Sequence, residues 1–338
     1  MAGRPAMMLG SGMQDRTSVV STPQSFAVTT PMWDSEPLSR ALGVPVHLKM
    51  EALQPCGSFK IRGLGRVCAA RVAGGARRLL CSSGGNAGLA VAYAGRRLGA
   101  PVTVVVPRST SAWARERIAA EGAAVVEHGA AWAEAHAYAL STMSEGTAYV
   151  HPFDDPEIWA GHATMIDEAA AQLATRPGAV VVAVGGGGLL CGVLLGMQRV
   201  GWGEVPVLAV ETTGAASLAA SMAADALVTL AKIDTLATTL GAATVAAEAL
   251  AWTRRRPVRS WQVSDRAAVR ACERFLDDHR VLVEPACGAG LSAIYDAAPP
   301  LRAATPLRAG SPVLAIVCGG AGVSLALLRE WAAATRAD

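Results

Sequence analysis

Charge is scarce in this chain: Asp, Glu, Lys and Arg make up 17% of its 338 residues, against about 25% in an average globular domain. Thirty basic and 27 acidic side chains leave a formal +3 with no block of either sign. That excludes the concentrated cationic stripe of a nucleic-acid binder and any charged interaction tail. The seven cysteines, Cys56, Cys68, Cys81, Cys191, Cys272, Cys287 and Cys318, are odd in number and include no C-x-x-C pair. Neither a disulfide framework nor a zinc site is expected, and a reducing cytoplasm is the natural setting. The opening MAGRPAMMLGSGMQDR lacks the apolar core of a secretory signal. Gly178 to Gln198 carries no charge and has the length of a membrane span. Gly185 to Gly188 in its middle would break a lipid-exposed helix, so a buried strand, a glycine turn and a helix start fit it better.

Apolar residues are plentiful, at 52%, which calls for a large core and a buried subunit interface. Length alone predicts two domains or one large α/β unit. Short β-branched runs read as buried strands: 46–50, 78–82, 102–106, 124–127, 179–184, 207–211 and 313–318. Between them the sequence predicts helices over 58–73, 86–98, 111–120, 130–143, 157–174, 188–199, 265–278, 285–297 and 322–335. This alternation defines an α/β fold with parallel sheets. The first 25 residues read as a loose tail, 214–255 carries little periodicity, and the Pro-rich 299–312 reads as a surface connection.

Four turns hold residues suited to chemistry. Gly185-Gly186-Gly187-Gly188-Leu189 follows a strand and opens a helix. Bare backbone N–H groups at a helix N-terminus form a phosphate cradle, and neither the Walker nor the dinucleotide pattern is met. A tight strand–helix turn would need fewer glycines. Ser82-Ser83-Gly84-Gly85-Asn86-Ala87-Gly88 sits in a similar place and suits a small carboxylate, although it could equally be a helix cap. Cys318-Gly319-Gly320 ends the last strand, where open α/β sheets bind ligands, and a strand-end cysteine is also ordinary packing. In Pro55-Cys56-Gly57-Ser58-Phe59-Lys60-Ile61-Arg62-Gly63, a lysine between two apolar residues at a helix start is desolvated. That lowers its pKa and suits Schiff-base chemistry, while a lone lysine is otherwise surface decoration.

Taken together, S-F-K-I-R-G, S-S-G-G-N-A-G, P-F-D-D-P, G-G-G-G-L-L-C-G, V-E-P-A-C-G-A and V-C-G-G resemble the serine/threonine dehydratases of fold type II pyridoxal-phosphate enzymes, closest to the short L-serine dehydratases. The resemblance runs from about Thr30 to the C-terminus. It implies a tryptophan synthase β-like α/β fold with two open twisted sheets. The large cofactor domain would be 1–62 plus 153–338, and a small inserted domain would span 63–152.

The resemblance also implies roles. Lys60 would carry the cofactor and then take the substrate Cα proton. Phe59 would pack on the pyridine ring, Asn86 would bond its 3′-oxygen, and Gly185 to Leu189 would hold the phosphate. Ser83, Gly84, Asn86 and Ala87 would clasp the substrate carboxylate, with Gly84 loosening that loop. Cys318 would face the pyridine nitrogen. A thiol of pKa about 8.5 is too weak an acid to keep that nitrogen protonated, which favours elimination over reprotonation. Glu211 and Ser217, with carbonyls of Ala215, Leu240 and Ala242, match a monovalent-cation (potassium) site. The implied reaction is deamination of L-serine or L-threonine by a homodimer that contacts neither nucleic acid nor membrane and has no feedback domain. Open alternatives are a dehydratase for a bulkier substrate such as phenylserine, an amino-acid racemase, and a non-catalytic amino-acid-binding protein.

Overall fold

The computed structural model describes residues 26–304 and 311–336. In chain order the elements are β1 (Met32–Asp34), α1 (Glu36–Leu42), β2 (Val46–Lys49), α2 (Lys60–Ala73), β3 (Arg78–Cys81), α3 (Asn86–Leu98), β4 (Val102–Val106), α4 (Ala112–Ala120), β5 (Ala124–Glu127), α5 (Trp132–Ser141), β6 (Thr147–Tyr149), α6 (Pro156–Gln172) and β7 (Ala179–Ala183). There follow α7 (Gly188–Arg199), β8 (Val207–Thr212), α8 (Ser217–Ala224), α9 (Ala247–Arg255), β9 (Val258–Val263), α10 (Asp265–His279), α11 (Pro285–Tyr295), α12 (Pro299–Ala304), β10 (Val313–Ile316) and α13 (Leu325–Arg336).

Two sheets result. One has the order β1-β2-β10-β7-β8-β9 and the other β5-β4-β3-β6. Among the strand pairs of the described residues, β1–β2 is antiparallel and the others are parallel. The carboxyl ends of β3, β7 and β10 run directly into the Ser82–Asn86, Gly185–Gly188 and Cys318–Gly320 turns. These are the strand ends where open α/β sheets place ligands. The strands of β7 and β8 are buried along their whole length, as sheets covered by helices on both faces require.

Some expectations need correction. The segment 299–312 begins as α12, because prolines in a helix's first turn forfeit no hydrogen bond; 305–310 and the tail 1–25 lie outside the described residues. The lysine helix starts at Lys60 rather than residue 58, since Ser58 bridges to Gly319. The last helix starts at Leu325 rather than 322. The amides of Ala321 and Gly322 are held instead by the side chains of Asn86 and Glu284.

A buried ion network locks α2 in place. The Arg62 guanidinium donates to Glu51 at 2.6 and 2.7 Å and to Glu168 at 2.7 Å through two nitrogens. Lys49, fully buried, donates to Glu168 at 2.6 Å and to the Thr30 carbonyl at 2.8 Å. Removing one partner of such a cluster strands the others without solvent. Arg62→Leu is expected to lose about 3–5 kcal/mol of stability, read as a lowered urea midpoint.

Candidate active site

Lys60 opens α2, and the turn before it is stitched to the end of β10. The Phe59 N–H donates to the Cys318 carbonyl at 3.2 Å and the Gly320 N–H to the Gly57 carbonyl at 2.8 Å. The Lys60 Nζ donates to the Pro152 carbonyl at 2.8 Å. Burial lowers its pKa to about 8, against smaller opposing effects of Cys81, Cys318 and Glu284. A substantial fraction of this amine is therefore neutral near physiological pH, the form that attacks a carbonyl.

The glycine run lies across from it. The N–H groups of Gly185 through Leu190 have no acceptor among the described residues. They gather at the N-terminus of α7, where the helix dipole favours an anion. Glycine is required here for two separate reasons. Gly187 adopts φ +88°, and a Cβ on Gly186 would stand 2.5 Å from the Phe153 ring. The loop after α8 closes the other side, with Ala246 N–H donating to the Gly186 carbonyl at 3.0 Å and Leu240 backbone against Gly185.

Asn86 begins α3 and is held at both ends. Its Oδ1 accepts from Ala321 N–H at 2.8 Å and its Nδ2 donates to Glu284 at 2.7 Å. One amide hydrogen therefore remains for a ligand. In the neighbouring loop Gly85 N–H donates to Ser83 Oγ at 3.4 Å. The N–H groups of Gly84, Asn86 and Ala87 have no acceptor among the described residues. Gly84 does not leave a gap: the place of its missing Cβ is filled by Thr110, whose Oγ1 would be at 2.4 Å. Cys318 is buried, and its hydrogen bond with Cys287, followed by burial, pushes the thiol well above its ordinary range. It stays protonated at any working pH.

Phe59 lies edge-on to His162 at 4.8 Å between centroids; the ring resting on the glycine run is Phe153. Glu211, buried at the end of β8, accepts from Leu218 and Ala219 N–H, each at 2.8 Å. Ser217, two residues beyond Ala215, is buried with no partner for its hydroxyl among the described residues. The structure thus groups Glu211, Ala215 and Ser217 at one turn, while Leu240 and Ala242 belong to the loop facing the glycine run.

Sequence reasoning missed Phe153 and Glu284 as individuals, though both lie inside motifs it quoted. Glu284 precedes a proline at the start of α11 and looks like a helix cap, yet its side chain makes no cap bond. It accepts instead from Asn86, from Thr239 Oγ1 at 2.5 Å and from Gly322 N–H. Burial pushes its pKa up, against the effect of those donors and of Lys60.

A buried amine, a run of free amides at a helix start and a second amide loop make a site for a carbonyl compound bearing a phosphate, alongside a small carboxylate. The family described as pyridoxal-phosphate dependent enzyme matches residues 25–319, and the chain belongs to it. Its similarities within that family are specific. It is 49% identical over 306 residues to the human L-serine dehydratase/L-threonine deaminase, covering 89% of this chain and 93% of that one. It is 39% identical to the L-serine dehydratase of Dictyostelium discoideum, covering 94% of each. The L-serine ammonia-lyase of Rhizomucor miehei superposes with a TM-score of 0.85 at 36% identity, over 91% of this chain and 98% of that one.

The residues present fit pyridoxal phosphate. The unpaired amides of Gly185 to Leu190 meet the phosphate's need for donors, and Lys60 has the low pKa that carbonyl attack requires. Covalent attachment of added pyridoxal phosphate to cofactor-free protein should accelerate about tenfold from pH 7 to pH 9 and then level off, because the neutral fraction of an amine of pKa about 8 does so. An absorbance time course at each pH measures this; a rate still climbing above pH 10 would mean an unshifted lysine.

Proposed function

We propose that this chain is an L-serine/L-threonine ammonia-lyase, releasing pyruvate or 2-oxobutyrate and ammonia. The observation that carries this reading is Lys60, a desolvated lysine between the phosphate-suited glycine run and the carboxylate-suited Ser83–Ala87 loop. The similarity to the serine and threonine deaminating proteins above supports it.

Bound pyridoxal phosphate supplies the electron sink that makes the substrate Cα acidic. The chain's own residues supply placement and proton transfer. Gly185 to Leu189 would hold the phosphate through backbone N–H groups, and Asn86 would have one amide hydrogen left for the ring oxygen. Phe59 belongs to the wall beside Lys60, and Phe153 closes the phosphate side. Ser83, Gly84, Asn86 and Ala87 orient the substrate carboxylate, so that Cα presents its hydrogen to the Lys60 amine. Cys318, held as a neutral thiol by its hydrogen bond with Cys287 and by burial, would face the ring nitrogen without protonating it. By leaving the ring nitrogen unprotonated, Cys318 would favour loss of the β-hydroxyl over return of the proton. Water lost across Cα–Cβ is regained when the released enamine hydrolyses, so the net change is loss of ammonia. With no side chain at position 84, the loop itself offers no second base there, which disfavours racemisation.

Residues 63–152 form the small domain in this reading and 1–62 with 153–338 the large one, with the cofactor between them. Seven free, buried cysteines suit a reducing cytoplasm, and the apolar surplus suits a homodimer. Glu211, Ser217 and the carbonyls of Ala215, Leu240 and Ala242 are the proposed potassium ligands, the unpartnered Ser217 hydroxyl being the supporting detail.

The test is oxo-acid release from L-serine, L-threonine, D-serine and L-phenylserine, with Lys60→Ala as control. Pyruvate or 2-oxobutyrate formed from the first two, and abolished by the substitution, is expected. Turnover of phenylserine alone, or no oxo acid at all, overturns the assignment. The cation site has its own test. Burial pushes Glu211 up to about 7, so its contribution to stability is full below about pH 4.5 and lost as pH rises through 7. Potassium should offset that loss, raising Tm more at pH 8 than at pH 6, and Glu211→Gln should abolish the difference.

A further inference from the structure

Ser82 is the last residue before the Ser83–Ala87 loop, and it lies beyond the sheet that carries it. The register of β3 ends at Cys81 against β4 and at Leu80 against β6, so no ladder hydrogen bond decides where the loop leaves. Three side chains hold it instead. Trp132 Nε1 donates to the Ser82 carbonyl at 2.5 Å. The Ser82 hydroxyl bonds the Tyr149 hydroxyl at 2.7 Å and meets His136 Nδ1 at 3.3 Å, and His136 Nδ1 and Tyr149 close the triangle at 2.8 Å.

These partners are themselves fixed. Trp132 and His136 stand one turn apart on α5, hence on one face, with rings stacked at 4.8 Å and 9°. Tyr149 ends β6, the strand beside β3. Trp132 remains 37% exposed, more than a side chain kept only for packing would be, yet its one polar atom is spent on the Ser82 carbonyl. The carbonyl and the hydroxyl of Ser82 are therefore both aimed, and in the loop that follows the amides of Gly84, Asn86 and Ala87 have no acceptor among the described residues.

We propose that Trp132 and His136 are positioning residues for the substrate carboxylate: through Ser82 they set where the Ser83–Ala87 loop presents its N–H groups. This rests on the loop's role in the function proposed above. It predicts an effect centred on carboxylate binding, since neither side chain hydrogen-bonds Lys60 or the glycine run and Trp132 approaches the latter only through the Phe153 ring, 6.5 Å away between centroids.

The experiment uses the holoenzyme and the variants Trp132→Phe, His136→Phe and Ser82→Ala. It measures kcat and KM for L-serine together with absorbance titrations of L-alanine and ethanolamine. L-Alanine has a carboxylate and no leaving group, and ethanolamine has the amine and hydroxyl but no carboxylate. Loss of one hydrogen bond should raise KM for serine and the Kd for alanine about 5- to 10-fold, with kcat within about twofold and ethanolamine unaffected. Adding His136→Phe to Ser82→Ala should cost little more, because both remove the same hydroxyl contact, while Trp132→Phe should add its full factor. Equal weakening of alanine and ethanolamine, a fall in kcat with KM unchanged, or no change in either overturns the inference. Should His136→Phe fail to fold, Trp132→Phe, a ring-for-ring change on a partly exposed side chain, decides alone. Failure of the functional reading looks different: the unaltered protein would release no oxo acid from serine, whatever the variants do to alanine.

Discussion

Arg62 stands two residues after Lys60 and carries a positive charge into the interior, where it survives only because Glu51 and Glu168 meet it on both sides. Glu51 comes from the turn after β2 and Glu168 from α6, so a single side chain ties the first turn of α2 to the large sheet and to a long helix. Lys49 joins the same cluster from the end of β2. A buried charge network tolerates little displacement, because every shift leaves a charge without a partner in a medium that cannot solvate it. The position of the Lys60 amine inherits that rigidity. Its depressed pKa and its contact with the Pro152 carbonyl follow from where the helix must begin.

The same protein satisfies its polar groups unevenly. Around Arg62 the acceptors and donors are matched, as buried polar atoms require. In the turns at the strand ends, the amides of Gly185 to Leu190 and of Gly84, Asn86 and Ala87 have no acceptor among the described residues. Three strands from two sheets deliver these turns to one place. Glu284 and the Ala321 amide then join them by gripping Asn86 from the large-sheet side. Unmatched donors at helix N-termini are costly alone and favourable with an anion, so the architecture stores its binding energy where the ligands belong.

Much of this was legible in the linear chain. The β-branched runs at 102–106 and 179–184 could only be buried parallel strands, and Lys60, Asn86 and the four glycines announced themselves through residue types that a plain fold does not need. Strands β1 and β6 escaped because three residues carry no period, and β9 because its burial does not alternate. The helices α8 and α9 were hidden in Ala- and Thr-rich sequence, where nothing marks a face. Glu284 was disguised as a helix cap. Phe153 was disguised as turn chemistry next to Asp154 and Asp155.

Local composition by itself determined the α/β class, the strand–turn–helix units and the chemical character of each turn, because periodicity and glycine content act over a few residues. Only the tertiary structure decided which ring lies on the glycine run, which carboxylate holds Asn86, and what fills the space beside Gly84. Those pairings join residues such as Asn86 and Glu284, 198 positions apart. They are settled by how two sheets and their helices pack, for which no short stretch of sequence carries a signal.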